Sequence, residues 1–222
     1  MTSSDVPPGS RSRVTFDPAS MQTRAFYRVI NSVVVPRPIA WVCSRSGEGL
    51  PNLAPHSFFT VACVDPPIVQ FTSVGRKDSL NNVEATGDFT VNLAPEELFE
   101  QINLTGTDFP PHVSEADYCG VRLEPSDVVG SSRVADSPVA IECRLHSTLR
   151  LGDSTVVFGR VVHVSAWESV VRDGRPRIEH LRPLARLGGN EWSTIGEVKE
   201  IARIAYKNWE EDPSIGAQVR GD

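Results

Sequence analysis

A mainly β fold, an antiparallel barrel closed or partly closed on itself, is what the sequence predicts, on three observations. Six or more short runs rich in β-branched and aromatic residues are spread along the chain. Helix-patterned segments are few and peripheral, and strands and helices do not alternate as a parallel βαβ sheet would require. The 222 residues, 40% of them hydrophobic, are enough for one domain with a real core. No internal repeat is visible.

The elements follow in order. Residues 1–16 begin with a stretch rich in Ser, Pro and Gly that predicts a mobile tail outside the fold. Residues 17–30 carry Met21, Ala25, Phe26, Val29 and Ile30 near one helical face. Pro36 and Pro38 then enforce an extended entry into a strand at 39–44, and the Ser46 to Gly49 stretch is a turn. Strands are predicted at 57–62, 68–72 and 89–93. Between the last two, a helix over 79–86 is capped by Asp78 or Ser79 and closed by Gly87.

A helical pattern over 95–104 puts Leu98, Phe99 and Ile102 on one face. The stretch 105–138 is loop-rich, and a loop of that length either covers a pocket or is a surface excursion. The runs 140–149 and 155–166, separated by Gly152-Asp153, predict a hairpin in which Ile141, Cys143 and Leu145 face inward while Glu142, Arg144 and His146 face out. Short pieces follow, and then a helix over 196–210 with Val198, Ile201, Ala202, Ala205 and Trp209 on one stripe. The main domain is therefore 17–193, and 194–222 is a C-terminal helix and acidic tail.

Composition narrows the function. A net charge of −6 argues against nucleic acid and against acidic membranes, and no 18-residue apolar run or signal-like start appears. A cytoplasmic protein is the expectation. The four cysteines contain no CxxC pair and read as thiols in a reducing compartment; the five histidines are scattered, so no metal is expected. GxGxxG and GxxxxGK[ST] motifs are both absent. The informative stretch runs from Pro51 to Asn82: strand, strand, an anion-binding turn at Arg76-Lys77-Asp78-Ser79, helix.

The motifs Pro36-Arg37-Pro38-Ile39-Ala40-Trp41, Asn52-Leu53-Ala54-Pro55-His56-Ser57-Phe58-Phe59, Asp65-Pro66-Pro67, Arg76-Lys77-Asp78-Ser79-Leu80-Asn81-Asn82 and Gly87-Asp88-Phe89-Thr90-Val91-Asn92-Leu93 recur here in order, followed by Leu181-Arg182-Pro183-Leu184 and Arg186-Leu187-Gly188-Gly189. Together they resemble the flavin reductase-like, FMN-binding split-barrel family, over about residues 17–192. The resemblance implies a six-stranded antiparallel split β-barrel of Greek-key type with peripheral helices, a homodimer, and FMN near the subunit interface. It implies a flavin reductase using NADH or NADPH, one that supplies a flavin-dependent monooxygenase or another electron acceptor. The alternative it leaves open is a flavoredoxin-like carrier without NAD(P)H turnover. Trp192 stands where similar proteins tend to have tyrosine.

Under that resemblance each part of FMN finds candidate residues. Arg76, Lys77, Asp78, Ser79 and the helix N-terminus face the phosphate. Asn52, Leu53, Ala54, Pro55, His56 and Ser57 face the isoalloxazine, with Cys43 and Ser44 beside them. Phe58 and Phe59 point to opposite faces, so at most one touches flavin. Asn82 reaches phosphate or ribityl chain, or only caps its helix. Arg186 with Gly189 closes over the flavin, or Arg186 forms a surface ion pair. His56 contacts nicotinamide or flavin, or is held structurally in its loop; no catalytic acid or base is assigned, since the cofactor carries the hydride chemistry.

Overall fold

The computed structural model describes residues 12–203 and 205–211. Most of the expected N-terminal tail lies outside them, and 12–16 are irregular and exposed. Helix α1 (Thr23–Val33) starts later than the sequence pattern suggests. Asp17 instead closes a turn: its carboxylate accepts the Ala19 N–H at 2.9 Å and its carbonyl accepts the Ser20 N–H at 3.1 Å.

Seven strand segments form one antiparallel sheet: β1 (Ala40–Arg45), β2 (Pro51–His56), β3 (Phe59–Cys63), β4 (Ile68–Val74), β5 (Asp88–Leu93), β6 (Val139–Leu151) and β7 (Ser154–Ala166). Their order is β2-β1-β5-β6-β7-β4-β3. The first and last of these are joined by Ser57 and Phe58 alone, so the sheet must curl until its edges meet. Thr72 in β4 accordingly donates its N–H to the Phe58 carbonyl at 2.9 Å. Counted as one bent strand, residues 51–63 make the barrel six-stranded, as expected.

Reading a strand only at 57–62 missed β2, which pairs with β1 from Ala40↔His56 to Arg45↔Pro51. Pro51 and Pro55 obscured it, but an edge strand tolerates proline because its outer side needs no partner. The long hairpin is present as β6 and β7. Its supposed outward row is corrected at Glu142, which is fully buried and accepts the N–H groups of Asp127, Val128 and Val129 at 2.8, 2.7 and 3.1 Å.

Helix α2 (Asp78–Thr86) ends at Gly87, whose φ of 79° is the left-handed cap that glycine suits. Its N-cap is Lys77 rather than Asp78 or Ser79, and no side chain caps it. The 95–104 pattern becomes a short 3-10 turn and α3 (Phe99–Leu104). Within 105–138 lie α4 (Glu115–Tyr118) and a small strand pair. The C-terminal helix is described over Tyr206–Glu211, and residues 196–203 and 205 of the expected span are irregular. Val198 and Ile201 are exposed among the described residues, and without a buried apolar face so short a helix is not held.

Strand β1 positions the site because both its faces are buried. Ala40 and Val42 join Phe71, Leu80, Val83, Phe89 and Val157 inside the barrel. Trp41 and Cys43 instead pack outward against Leu53, Ile102, Ala116 and Val134. The second core exists because the 105–138 segment folds over the outside of the sheet, pinned where Trp41 Nε1 donates to Thr105 Oγ1 at 2.9 Å.

Candidate functional site

Where that segment crosses the end of the barrel, a cleft of about 420 Å³ opens. One wall is β2 with its link to β3, from Asn52 to Phe58; another is the Arg76-Lys77 turn with the first residues of α2; the 105–115 segment forms the lid, and Tyr27 of α1 stands at the side. The loop is therefore a pocket cover, not a surface excursion. Of the two neighbouring phenylalanines, Phe58 lines the cleft and Phe59 packs against the barrel core.

One end of the cleft is cationic. The uncapped N-terminus of α2 leaves backbone N–H groups unmatched beside Arg76 and Lys77. Arg76 donates to Asn81 Oδ1 at 3.0 Å and pairs with Glu84 at 2.6 Å; Lys77 pairs with Asp108 at 2.5 Å. Both pairs are largely exposed and so are weakly held and exchangeable for an anionic ligand.

The floor is a polar network. Asn52 Oδ1 accepts from the hydroxyls of Ser44 and Ser79, each at 3.1 Å, while Asn52 Nδ2 donates to Glu115 Oε1 at 2.6 Å. Glu115 Oε2 accepts the Leu53 N–H at 3.0 Å, and Asn82 Nδ2 donates to Ser44 Oγ at 3.3 Å. His56 Nε2 lies 3.1 Å from Ser79 Oγ, with the ring against Phe71. Burial lowers the His56 pKa to about 4, the nearby Lys77 adding a smaller push, so the imidazole is neutral near pH 7. Burial also raises the Glu115 pKa despite its hydrogen bonds.

The cleft thus brings together Asn52, Ala54, Pro55, His56, Ser57, Arg76, Lys77, Asp78 and Ser79. Six expected residues sit elsewhere. The Leu53 side chain is in the outer core, and only its amide belongs to the network. Cys43 is buried in that core, its thiol pushed up to about 12 by burial, because alternation along β1 turns it away from the cleft. Ser44 and Asn82 stand behind Asn52 as supports. Arg186 and Gly189 line an adjoining cleft; among the described residues Arg186 forms no ion pair but lies 4.5 Å over the Trp192 ring and donates to the Gly189 carbonyl at 2.9 Å.

Sequence reasoning missed Glu115 and Tyr27. Ser114, which accepts the Asp117 N–H, marks a helix start but gives no sign that Glu115 reaches β2. Asp127, Glu142 and His163 lie close enough to share an ion, yet Glu142 already accepts three backbone N–H groups and Asp127 pairs with Arg133. Among the described residues no helix is long and apolar enough to cross a membrane.

Similarity to known proteins covers the same elements. Residues 32–179 match the domain described as flavin reductase like. An uncharacterized protein of Halalkalibacterium halodurans is 34% identical over 199 residues, spanning 84% of this chain and 95% of the relative. The crystal structure of nitrilotriacetate monooxygenase component B from Bacillus cereus superposes with a TM-score of 0.83 at 29% identity, covering 86% of this chain and 100% of that one. That of 2-nitrobenzoate 2-nitroreductase from Pseudomonas fluorescens superposes at 0.81 with 31% identity, covering 87% and 98%.

Proposed function

This chain belongs to the flavin reductase-like domain family, with its split-barrel fold, and on that premise we propose that it is an FMN-binding oxidoreductase passing hydride from NADH or NADPH to flavin. In this role it serves a separate flavin-dependent monooxygenase or another electron acceptor. The observation that carries the proposal is the pairing, in one cleft, of an uncapped helix N-terminus beside Arg76 and Lys77 with the close backbone run from Ala54 to Ser57. The volume suits a cofactor of this size.

Arg76, Lys77 and the first N–H groups of α2 hold the phosphate, their exposed ion pairs giving way to it. Asn52, fixed by Glu115, Ser44 and Ser79, presents a set amide edge to the ring, and Asn82 secures Ser44 behind it. Phe58 and Tyr27, 6.4 Å apart edge to face, and the 105–115 lid exclude water. His56 stays neutral and adds no charge. When bound, FMN supplies the hydride-accepting centre.

We further propose a homodimer. Leu149, Leu151 and Val164 on the long hairpin, with Val61 and Val64, are exposed apolar residues of the kind a subunit contact covers.

The test is the visible spectrum of protein loaded with FMN, freed of excess flavin, and then given NADH and NADPH anaerobically. Retention of the flavin band followed by bleaching is the expected result. A band retained until dithionite is added would replace the reductase with a carrier. Absence of turnover with every flavin and both nicotinamides would overturn the proposal.

A further inference from the structure

Beyond Ser57 the cleft continues into a second one, of about 410 Å³, lined by Arg24, Tyr27, Arg28, Asn31, Arg37 and Arg186. Among the described residues four arginines and no carboxylate line this space, in a chain whose net charge is −6. Arg37 is only 7% exposed, and its guanidinium donates to the carbonyls of Asn31, Val34 and Leu187 at 2.6, 2.9 and 2.7 Å. Those acceptors orient the group but do not neutralise it. Arg24 and Arg28, one turn apart on α1, form no ion pair among the described residues. Arg186 lies over Trp192, and its charge too has no acidic partner among the described residues.

Like charges gathered without counter-charge are unfavourable unless an anion joins them. One carboxylate calls for a single guanidinium; four suit a phosphate dianion or pyrophosphate. The position indicates which one. The Arg76-Lys77 end is proposed for the flavin phosphate, and Ser57 lies on the boundary between the two clefts. A nicotinamide ring stacked at Ser57 must direct its phosphates away from the occupied end, toward the arginines.

We propose that the arginine cleft binds a phosphate group of the hydride-donating dinucleotide, an inference that rests on the reductase function proposed above. The 2′-phosphate of NADPH and the pyrophosphate shared by both nicotinamides offer the same chemistry there.

The experiment compares R24Q/R28Q with the wild type, both loaded with FMN, by titration with NADP⁺ and NAD⁺ and by steady-state oxidation of NADPH and NADH. Both substitutions are at exposed positions, and FMN affinity reports an intact fold. Loss of NADP⁺ affinity by about tenfold or more, with NAD⁺ little changed, assigns the 2′-phosphate. An equal loss for both assigns the pyrophosphate. Unchanged affinity for both, with normal KM values, overturns the inference while leaving the reductase in place. NADP⁺ binding that depends on the arginines without reduction of flavin would instead retain the cleft and remove the reductase.

Discussion

Asn52 Nδ2 donates a 2.6 Å hydrogen bond to Glu115 Oε1, joining the floor strand of the cleft to the helix that closes it from 63 residues further on. Because Oε2 of the same carboxylate takes the Leu53 N–H, Glu115 holds both a side chain and a backbone group of β2. Replacing it with alanine leaves two buried donors unmatched. E115A is expected to lose about 2–4 kcal/mol, E115Q less, since glutamine keeps one acceptor. Urea midpoints at constant m-value check this. An E115A midpoint equal to that of the wild type would mean that the lid is not anchored there.

His56 makes stability depend on pH. Its pKa is about 4 when folded against 6.5 when free, so between those values the unfolded chain binds more protons. Stability therefore falls as pH drops through this window, by about 3 kcal/mol in total. Glu115 acts in the opposite sense: with a raised pKa its folded form binds the proton more tightly, so its contribution weakens as pH rises. H56Q removes only the histidine contribution, and chemical denaturation from pH 4 to 7 should show a shallower slope for it than for the wild type. Equal slopes would place the titration elsewhere.

Legibility of the sequence tracked how local each interaction is. The Arg76-Lys77 turn and the Gly87 cap were readable because their consequences lie within a few residues. Alternation revealed most strands, but it cannot tell solvent from another part of the chain. Glu142 therefore read as exposed, when backbone from 127–129 satisfies it, and Cys43 read as a neighbour of the cleft, when the outer core takes it. Glu115 had no local signature, since both its partners are far away in sequence. The C-terminal helix was extended too far because its apolar spacing implied a packing surface that the described chain does not provide.

Packing of the hairpin supplies a further prediction. Gly159 sits at a register shift in β7, and a Cβ added there would lie 2.3 Å from Cζ of the fully buried Phe89 ring. An aromatic ring enclosed on all sides cannot swing away as a flexible side chain would. G159A is expected to cost about 1–3 kcal/mol by overpacking. Denaturant unfolding of that variant at wild-type stability would show that the hairpin shifts to accommodate it.

The phosphate role proposed for the Arg76-Lys77 turn separates a flavin site from an empty barrel. Arg76 and Lys77 contribute little to stability, because their ion pairs with Glu84 and Asp108 are mostly solvated. A dianion against the α2 N-terminus would instead make charge-assisted hydrogen bonds, each contributing about 1.5–3 kcal/mol. R76A/K77A should therefore weaken FMN binding by about tenfold or more while shifting the unfolding midpoint only slightly. Riboflavin, which lacks the phosphate, provides the control: its affinity should be the same for variant and wild type. Equal losses for FMN and riboflavin would show that the two side chains shape the cleft rather than hold the phosphate.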